Sequence, residues 1–430
     1  MSPRALRVLV VGSGGREHAL CWKLAQSPEL GALLAAPGSD AIGELATCFG
    51  EVGAGDVDAL VTLARAESVD LVVVGPEDPL VAGLADRLAE ADIACFGPSA
   101  AASRLEGSKA FAKDFMQRHG IPTAGHAVFE DLEAARAHVR AQGGPCVVKA
   151  DGLAAGKGVT VCETPEQALA ALDEAMSGRR FGEAGDTVVI EERLLGEEAS
   201  YYALCDGEHV VPLAPAQDHK RALDGDRGEN TGGMGAYVPA PVVDEAVEKK
   251  ILERVVHPAL AGCAADGMPY RGVLFVGLMV DAAGEPQVIE FNVRFGDPET
   301  QPLLLQMESD LLPLLEAAAT GGLDRLPPPA TRGHAVCVVL ASEGYPRSYP
   351  KGRPIRGLEA AAADPDTVVF HAGTKRAGAG FETAGGRVLG VTSRGDSVDQ
   401  ARARAYAAVE KISFDGAQHR SDIAFRAIAR

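Results

Sequence analysis

Over its first hundred residues the chain alternates short aliphatic runs with amphipathic segments. Val8-Leu9-Val10-Val11 and Leu71-Val72-Val73-Val74 are apolar without alternation, as strands buried on both faces must be. Residues 33–36 and 93–96 add two shorter strands, and Pro37-Gly38 and Gly75-Pro76 end two of the four. Helices are predicted over about 17–26, 56–67 and 81–91. In the second of these, Val57, Leu60, Val61 and Ala64 share one face. This alternation predicts a parallel sheet with crossover helices.

Beyond residue 105 the pattern changes. Residues 108–119 read as a lysine-bearing helix, 145–150 as a strand, 159–161 as its antiparallel return, 165–176 as a helix and 187–192 as a strand. Residues 199–323 form a second mixed block. It holds a glycine-rich loop at 225–235, a helix at 244–260 and two adjacent strands at 272–280 and 287–291. Pro327-Pro328-Pro329 marks a boundary, and strands at 335–340, 367–371 and 387–392 with a helix at 397–411 complete the chain. The expected class is α/β and α+β. A parallel α/β domain (1–105) leads, a pair of α+β lobes (106–195 and 196–328) follows, and a small β-rich α+β domain (329–430) closes the chain.

Charge narrows the partners. Against 41 Lys and Arg stand 60 Asp and Glu, a net charge of −19, which repels phosphate backbones and disfavours a nucleic-acid partner. No apolar run reaches the roughly 18–20 residues that span a bilayer, so no membrane partner is expected. The eight cysteines are scattered without a Cys-x-x-Cys pair, which suits a cytoplasmic protein with free thiols.

Four segments carry candidate chemistry. Gly12-Ser13-Gly14-Gly15-Arg16-Glu17 joins the first strand to a helix start, a place where backbone N–H groups and the helix dipole favour an anion. A dinucleotide fingerprint wants a small residue where Glu17 stands, and no acid ends the second strand, so a nicotinamide cofactor is disfavoured. A plain connecting turn fits the same residues. Lys149 on a strand precedes Gly152, Gly156, Lys157 and Gly158, a loop able to grip phosphates from above; a surface hairpin with solvated lysines is the bland alternative. Residues 188–200 run from a strand into an irregular hinge whose backbone could meet an adenine edge and whose carboxylates could accept ribose hydroxyls; alone, a solvated acidic turn explains it better. Finally, Glu290, Asn292 and Arg294 alternate with Ile289, Phe291 and Val293. That puts a carboxylate, an amide and a guanidinium on one strand face, a donor set suited to Mg²⁺ and phosphate. A solvated sheet face is the competing reading.

In this order the lysine–glycine loop, the acidic hinge and the Glu-x-Asn-x-Arg strand resemble the ATP-grasp carboxylate–amine ligases. The finer text resembles the glycinamide ribonucleotide synthetases of purine biosynthesis. It runs through 10–19, Val74-Gly75-Pro76-Glu77-Asp78-Pro79-Leu80, Glu106-Gly107-Ser108-Lys109-Ala110-Phe111, Gln217-Asp218-His219-Lys220-Arg221, 230–237, 294–299 and 371–374, across essentially the whole chain. The resemblance implies that the two lobes are an ATP-grasp pair. It implies ATP-driven ligation of glycine to 5-phosphoribosylamine through an acyl phosphate, with Mg²⁺ or Mn²⁺, by a monomer.

By the family pattern, Lys109 and Lys149 hold ATP phosphates. Glu191 and the backbone of Glu192 and Leu194 meet adenine, and Glu198 the ribose. Glu290 and Asn292 bind the metal, and Arg294 steadies the acyl phosphate. Gly12, Gly14, Gly15, Arg16 and Glu17 frame the phosphoribosylamine together with Pro76, Glu77 and Asp78, while Thr231 and Gly232 sit in the Asn-Thr-Gly-Gly loop. Asp218, Asp297 and Glu299 are undivided candidates for the amine substrates.

The sequence departs from the family text twice. The strand 272–277 offers no third acidic metal ligand, and Glu229 stands where a proline usually precedes the Asn-Thr-Gly-Gly loop. A carboxylase would need a biotin-carrier or bicarbonate segment, and none is visible. A non-catalytic nucleotide sensor would be expected to lose the charged positions that are all present here.

Overall fold

A computed structural model describes residues 5–153, 158–177 and 185–429. The N-terminal sheet is parallel throughout, in the order Thr47–Cys48, Leu30–Pro37, Leu6–Gly12, Leu71–Val74, Ala94–Phe96. Its aliphatic runs are explained by burial on both faces. Leu9, Val11, Val72 and Val74 enter one core, and Val8, Val10, Leu71 and Val73 enter the other. The second core does not stop at this sheet. It continues through Leu303, Leu304, Leu312 and Leu315 of two later helices, Thr300–Gln306 and Leu312–Thr320. The predicted helix at 81–91 is two pieces, Asp78–Val81 and Leu84–Ala89, parted by Gly83 in the left-handed region.

The lysine lobe is a four-stranded antiparallel sheet ordered His126–Phe129, Val188–Glu192, Cys146–Ala150, Val159–Cys162. Helices Leu132–Gln142 and Pro165–Leu172 cover it, each begun by a side chain that accepts the first free N–H groups: Asp131 from Ala134 and Thr164 from Gln167. A second antiparallel sheet carries the hinge strand Glu197–Asp206 against Arg271–Val280, which pairs in turn with Pro286–Asn292. The segment 225–235, expected as a loop, contributes to a hairpin, Arg221–Leu223 with Arg227–Asn230, because the glycines at 225 and 228 take positive φ and let the chain fold back. Strands Gln217–Asp218 and Gly235–Val238 leave the large lobe and join the C-terminal sheet beside His334–Ser342, Arg387–Gly395 and Thr367–His371. The C-terminal domain is thus tied directly to the site-bearing segment 217–238. All eight cysteines are free. Among the described residues no helix is long and apolar enough to cross a membrane.

Candidate active site

The glycine turn ends the central strand of the parallel sheet. Positive φ falls on Gly12 (φ 124), whereas Gly14 is extended at φ −86. A Cβ at Gly12 would lie 2.6 Å from Cγ of Glu17, and one at Gly75 would overlap the same carboxyl group. Glu17 therefore fills the gap between two strand ends, which is why a large residue stands where a dinucleotide fold needs a small one. Its carboxylate accepts from the Gly14 N–H at 2.7 Å and from Arg16 Nε at 2.6 Å. Glu17 is buried, and two donors already claim it, so it shapes the loop and aims Arg16. Arg16 donates onward to the Phe295 carbonyl at 3.0 Å, and Gly15 packs on Gln301. Thus the loop abuts the segment that follows the Glu-x-Asn-x-Arg strand. Pro76 is half-buried at the same strand edge, with Glu77 and Asp78 just beyond.

Lys109 starts the helix Lys109–Arg118, which Ser108 caps, and its Nζ donates to the Gly152 carbonyl at 2.7 Å. Asp151 secures this junction by accepting from Ser108 Oγ and the Ala110 N–H, both at 3.1 Å. Lys149 sits on the adjacent lobe strand and donates to the Ile289 carbonyl at 3.0 Å. Gly158 is buried and its carbonyl accepts from the Ala150 N–H; Gly156 and Lys157 lie outside the described residues. Glu191 was expected at adenine. Its carboxylate is enclosed between two ammonium groups, Lys149 at 2.8 Å and Lys113 at 3.0 Å. Beyond it the Glu192 N–H is spent on the Gly125 carbonyl, and residues 193–196 form the irregular hinge, with Leu194 half-buried and Leu195 exposed. Glu198, opening the next strand, pairs with Lys220 at 2.7 Å.

Glu290 and Asn292 lie on Pro286–Asn292, and Gly277 and Phe275 stand opposite them on the neighbouring strand. No acid faces them there, as the sequence implied. Burial would raise the Glu290 carboxyl, but Lys220, Lys149, Lys109 and Arg294 outweigh it and hold it below its ordinary range. The Asn292 amide nitrogen is buried without a hydrogen-bond partner. Just past the strand, Arg294 is gripped by Glu77 at 3.0 Å and Glu106 at 2.8 Å. Glu106 also accepts from the Val293 N–H, and burial pushes its carboxyl up to about 7 despite Arg294.

The third part of the site is acidic and composite. Burial raises both Asp218 and Glu299; the Glu198 charge adds to it at Asp218, and the Asp218 charge adds to it at Glu299, which is pushed up to about 7. The buried Tyr202 hydroxyl, without a hydrogen-bond partner, lies over Gly296 beside Glu299. Asp297 accepts from Gln301 at 2.8 Å and from Arg387, a residue of the C-terminal sheet, at 2.9 Å. Arg387 also donates to the Gly232 carbonyl, and the Gly232 N–H donates to Tyr345 Oη at 3.0 Å. Thr231 is turned inward on the Lys220 carbonyl. Glu229, the residue in place of proline, forms a forked ion pair with Arg347 of the C-terminal domain.

The sequence reading gave no role to Lys113, Glu106, Lys220, Tyr345 or Arg387. Lys113 had a local signal, since it shares a helix face with Lys109 four residues earlier. Arg387 had none, its contacts lying 90 and 155 residues away.

Comparison with known proteins bears on the whole chain. Three profiles described as Phosphoribosylglycinamide synthetase match it: the N domain over 6–106, the ATP-grasp (A) domain over 107–300 and the C domain over 335–426. The phosphoribosylamine–glycine ligase of Rhizobium meliloti (strain 1021) is 53% identical over 425 residues, covering 99% of each chain. That of Phenylobacterium zucineum (strain HLK1) is 54% identical over 427 residues, covering 99% of this chain and 100% of its own. A crystal structure of the phosphoribosylamine–glycine ligase from Thermotoga maritima superposes with a TM-score of 0.85 at 35% identity, covering 97% of this chain and 100% of that one. The biotin carboxylase domain of the Hydrogenobacter thermophilus 2-oxoglutarate carboxylase shares the fold alone, with a TM-score of 0.75 at 17% identity and coverage of 96% and 91%. The chain belongs to the phosphoribosylglycinamide synthetase family and is an ATP-grasp ligase.

Proposed function

We propose that the protein joins glycine to 5-phosphoribosylamine, giving glycinamide ribonucleotide, ADP and phosphate, in the cytoplasm. The observation that carries the reading is that Lys220 and Arg294 act on two groups at once: Glu290, which Lys149 and Lys109 also approach, and Glu299, which Asp218 adjoins. One side suits a triphosphate and the other an amine.

A glycine carboxylate oxygen attacks the γ-phosphorus of ATP, the bond to the β-bridging oxygen breaks, and ADP leaves. The nitrogen of phosphoribosylamine then attacks the acyl carbon of glycyl phosphate and loses a proton. Phosphate departs, carrying an oxygen that came from glycine. Lys109 and Lys149 place and neutralise the phosphates, the hinge backbone at 192–194 receives adenine, and Glu198 is placed for the ribose. Glu290, held ionised, and the Asn292 amide oxygen offer the hard donors that Mg²⁺ or Mn²⁺ requires. When bound, the metal supplies further neutralisation of the phosphate charge.

Arg294, fixed from two sides by Glu77 and Glu106, presents an edge to the acyl phosphate. The Gly12–Arg16 turn and the Pro76–Asp78 edge frame the phosphoribosylamine. Asp218 and Glu299 hold an ammonium group, and Asp297, locked by Arg387 and Gln301, closes that end. Positioning and charge neutralisation do nearly all the work, as in other phosphoryl transfers. The test is direct. Purified protein is given ATP, Mg²⁺, glycine and fresh phosphoribosylamine, and ADP and glycinamide ribonucleotide are sought in equal amounts. Formation of AMP and pyrophosphate, or ADP without the amide, would remove the reading.

A further inference from the structure

We infer that Lys113 is a positioning residue that keeps Lys149 aimed, and the buried cluster net positive, by sharing the Glu191 carboxylate that lies between them. The inference rests on the reading that Lys149 meets ATP phosphates. All three side chains are almost wholly buried, Lys113 at 2%, Lys149 at 3% and Glu191 at 3% exposure. Each oxygen of Glu191 faces one ammonium as an ion pair, Oε1 with Lys149 at 2.8 Å and Oε2 with Lys113 at 3.0 Å, although Oε1 accepts no hydrogen bond. Each lysine makes one hydrogen bond, and both lead to the strand that carries Glu290 and Asn292. Lys149 donates to the Ile289 carbonyl at 3.0 Å. Lys113 donates to Thr123 Oγ1 at 2.7 Å, and that hydroxyl donates to the Val288 carbonyl at 2.6 Å.

The charge count gives the reason for the second lysine. A lone Lys149–Glu191 pair would be neutral and would present little field to a phosphate. With Lys113 the buried triad carries a net single positive charge, and the phosphates are the anion it faces. Burying an additional ammonium is costly, and an apolar side chain of similar length would pack the helix at less cost. The cost is visible: burial pushes Lys113 down to about 8 in spite of the adjoining carboxylate. Structure alone does not call for such a residue, whereas a site that must hold a polyphosphate does. The same helix delivers Lys109 one turn earlier, so a single rigid element sets both phosphate-facing lysines.

The test measures MgATP binding by calorimetry without glycine, together with KM for each substrate, in Lys113→Met, Glu191→Gln, Lys149→Met and the double variant Lys113→Met/Glu191→Gln. Lys113→Met is expected to weaken MgATP binding and raise KM for ATP about tenfold, the scale of one screened charge. KM for glycine should hold and kcat should fall less. The double variant loses one charge of each sign, and is expected to regain MgATP binding to within about threefold of the parent. A purely structural lysine would not show this rescue. Unchanged MgATP binding in Lys113→Met, or a loss that the double variant does not rescue, overturns the inference. So does failure of both variants to fold. If Lys149→Met itself binds MgATP normally, the underlying assignment of the phosphate site fails instead.

Discussion

The proposed nucleotide end and the proposed amine end of this site are built differently. Lys149, Glu290 and Asn292 stand on strands, the latter two just past a bulge at Ile289, and Lys109 opens a capped helix, so each is fixed by local geometry and only a few long-range bonds. The amine end is assembled from remote pieces. Asp218 comes from a strand that has joined the C-terminal sheet, Glu299 from a turn after the metal strand, and Asp297 is held by Arg387 of the last domain. The contrast teaches where each half is vulnerable. On the proposed reading, the nucleotide end should fail when a charge is removed, and the amine end when an interdomain contact is broken.

The largest effect is expected at the nucleotide end. Glu290→Gln preserves shape and removes the charge that metal and phosphates require together, so activity should fall by about 10²-fold or more with the fold intact. Near-normal turnover in a folded Glu290→Gln protein would return that strand to a structural role. Arg387→Ala probes the opposite end. It frees Asp297 and the Gly232 carbonyl, and KM for an amine substrate should rise by roughly 10-fold, about 1.4 kcal/mol, with KM for ATP nearly unchanged. An equal rise in both constants would dissolve the distinction between the two ends.

The Gly12 turn sharpens the same division. Gly12→Val forces a branched side chain into φ 124 and against Glu17, so the loop must move. KM for phosphoribosylamine should rise and ATP affinity should stay. Arg16→Ala should act in the same direction by about 1–3 kcal/mol, read from kcat/KM for phosphoribosylamine. Loss of ATP affinity in either variant would place the nucleotide in the N-terminal domain. The mildest effect concerns pH. Glu299 is raised to about 7 in the fold against an ordinary value near 4.5, through burial first and Asp218 second. Its contribution to stability is therefore complete below about pH 4.5 and is lost as pH rises through 7. Melting temperature should decline across that window in the parent and decline less in Glu299→Gln; parallel curves would contradict the assignment.

These ends also differ in how far they could be read from sequence. A period-two pattern announces Glu290 and Asn292, because a strand with one apolar face must put its other residues somewhere useful. Lys149 is similarly marked by the buried strand and glycines around it. At Glu191 the local pattern says less. The family text put the residue at adenine, and its place between two buried lysines is decided by the helix packed on the strand, which the local pattern does not encode. Asp297 was legible as a candidate, yet its partner Arg387 follows no motif and is brought in by tertiary pairing, of Gly235–Val238 with His334–Ser342 and of that strand with Arg387–Gly395, on which helix Thr300–Gln306 packs. The strand joining 217–218 to the last domain was hidden for the same reason: two residues have no periodicity to read.

The central claim is that glycine is activated as an acyl phosphate before the amine attacks. Glycine labelled with ¹⁸O in both carboxylate oxygens tests it, with the isotope followed by the ³¹P chemical shift. The account predicts one labelled oxygen in the inorganic phosphate for every glycinamide ribonucleotide formed, with ADP as the sole nucleotide product. Label appearing in AMP, or unlabelled phosphate beside full product formation, would contradict it.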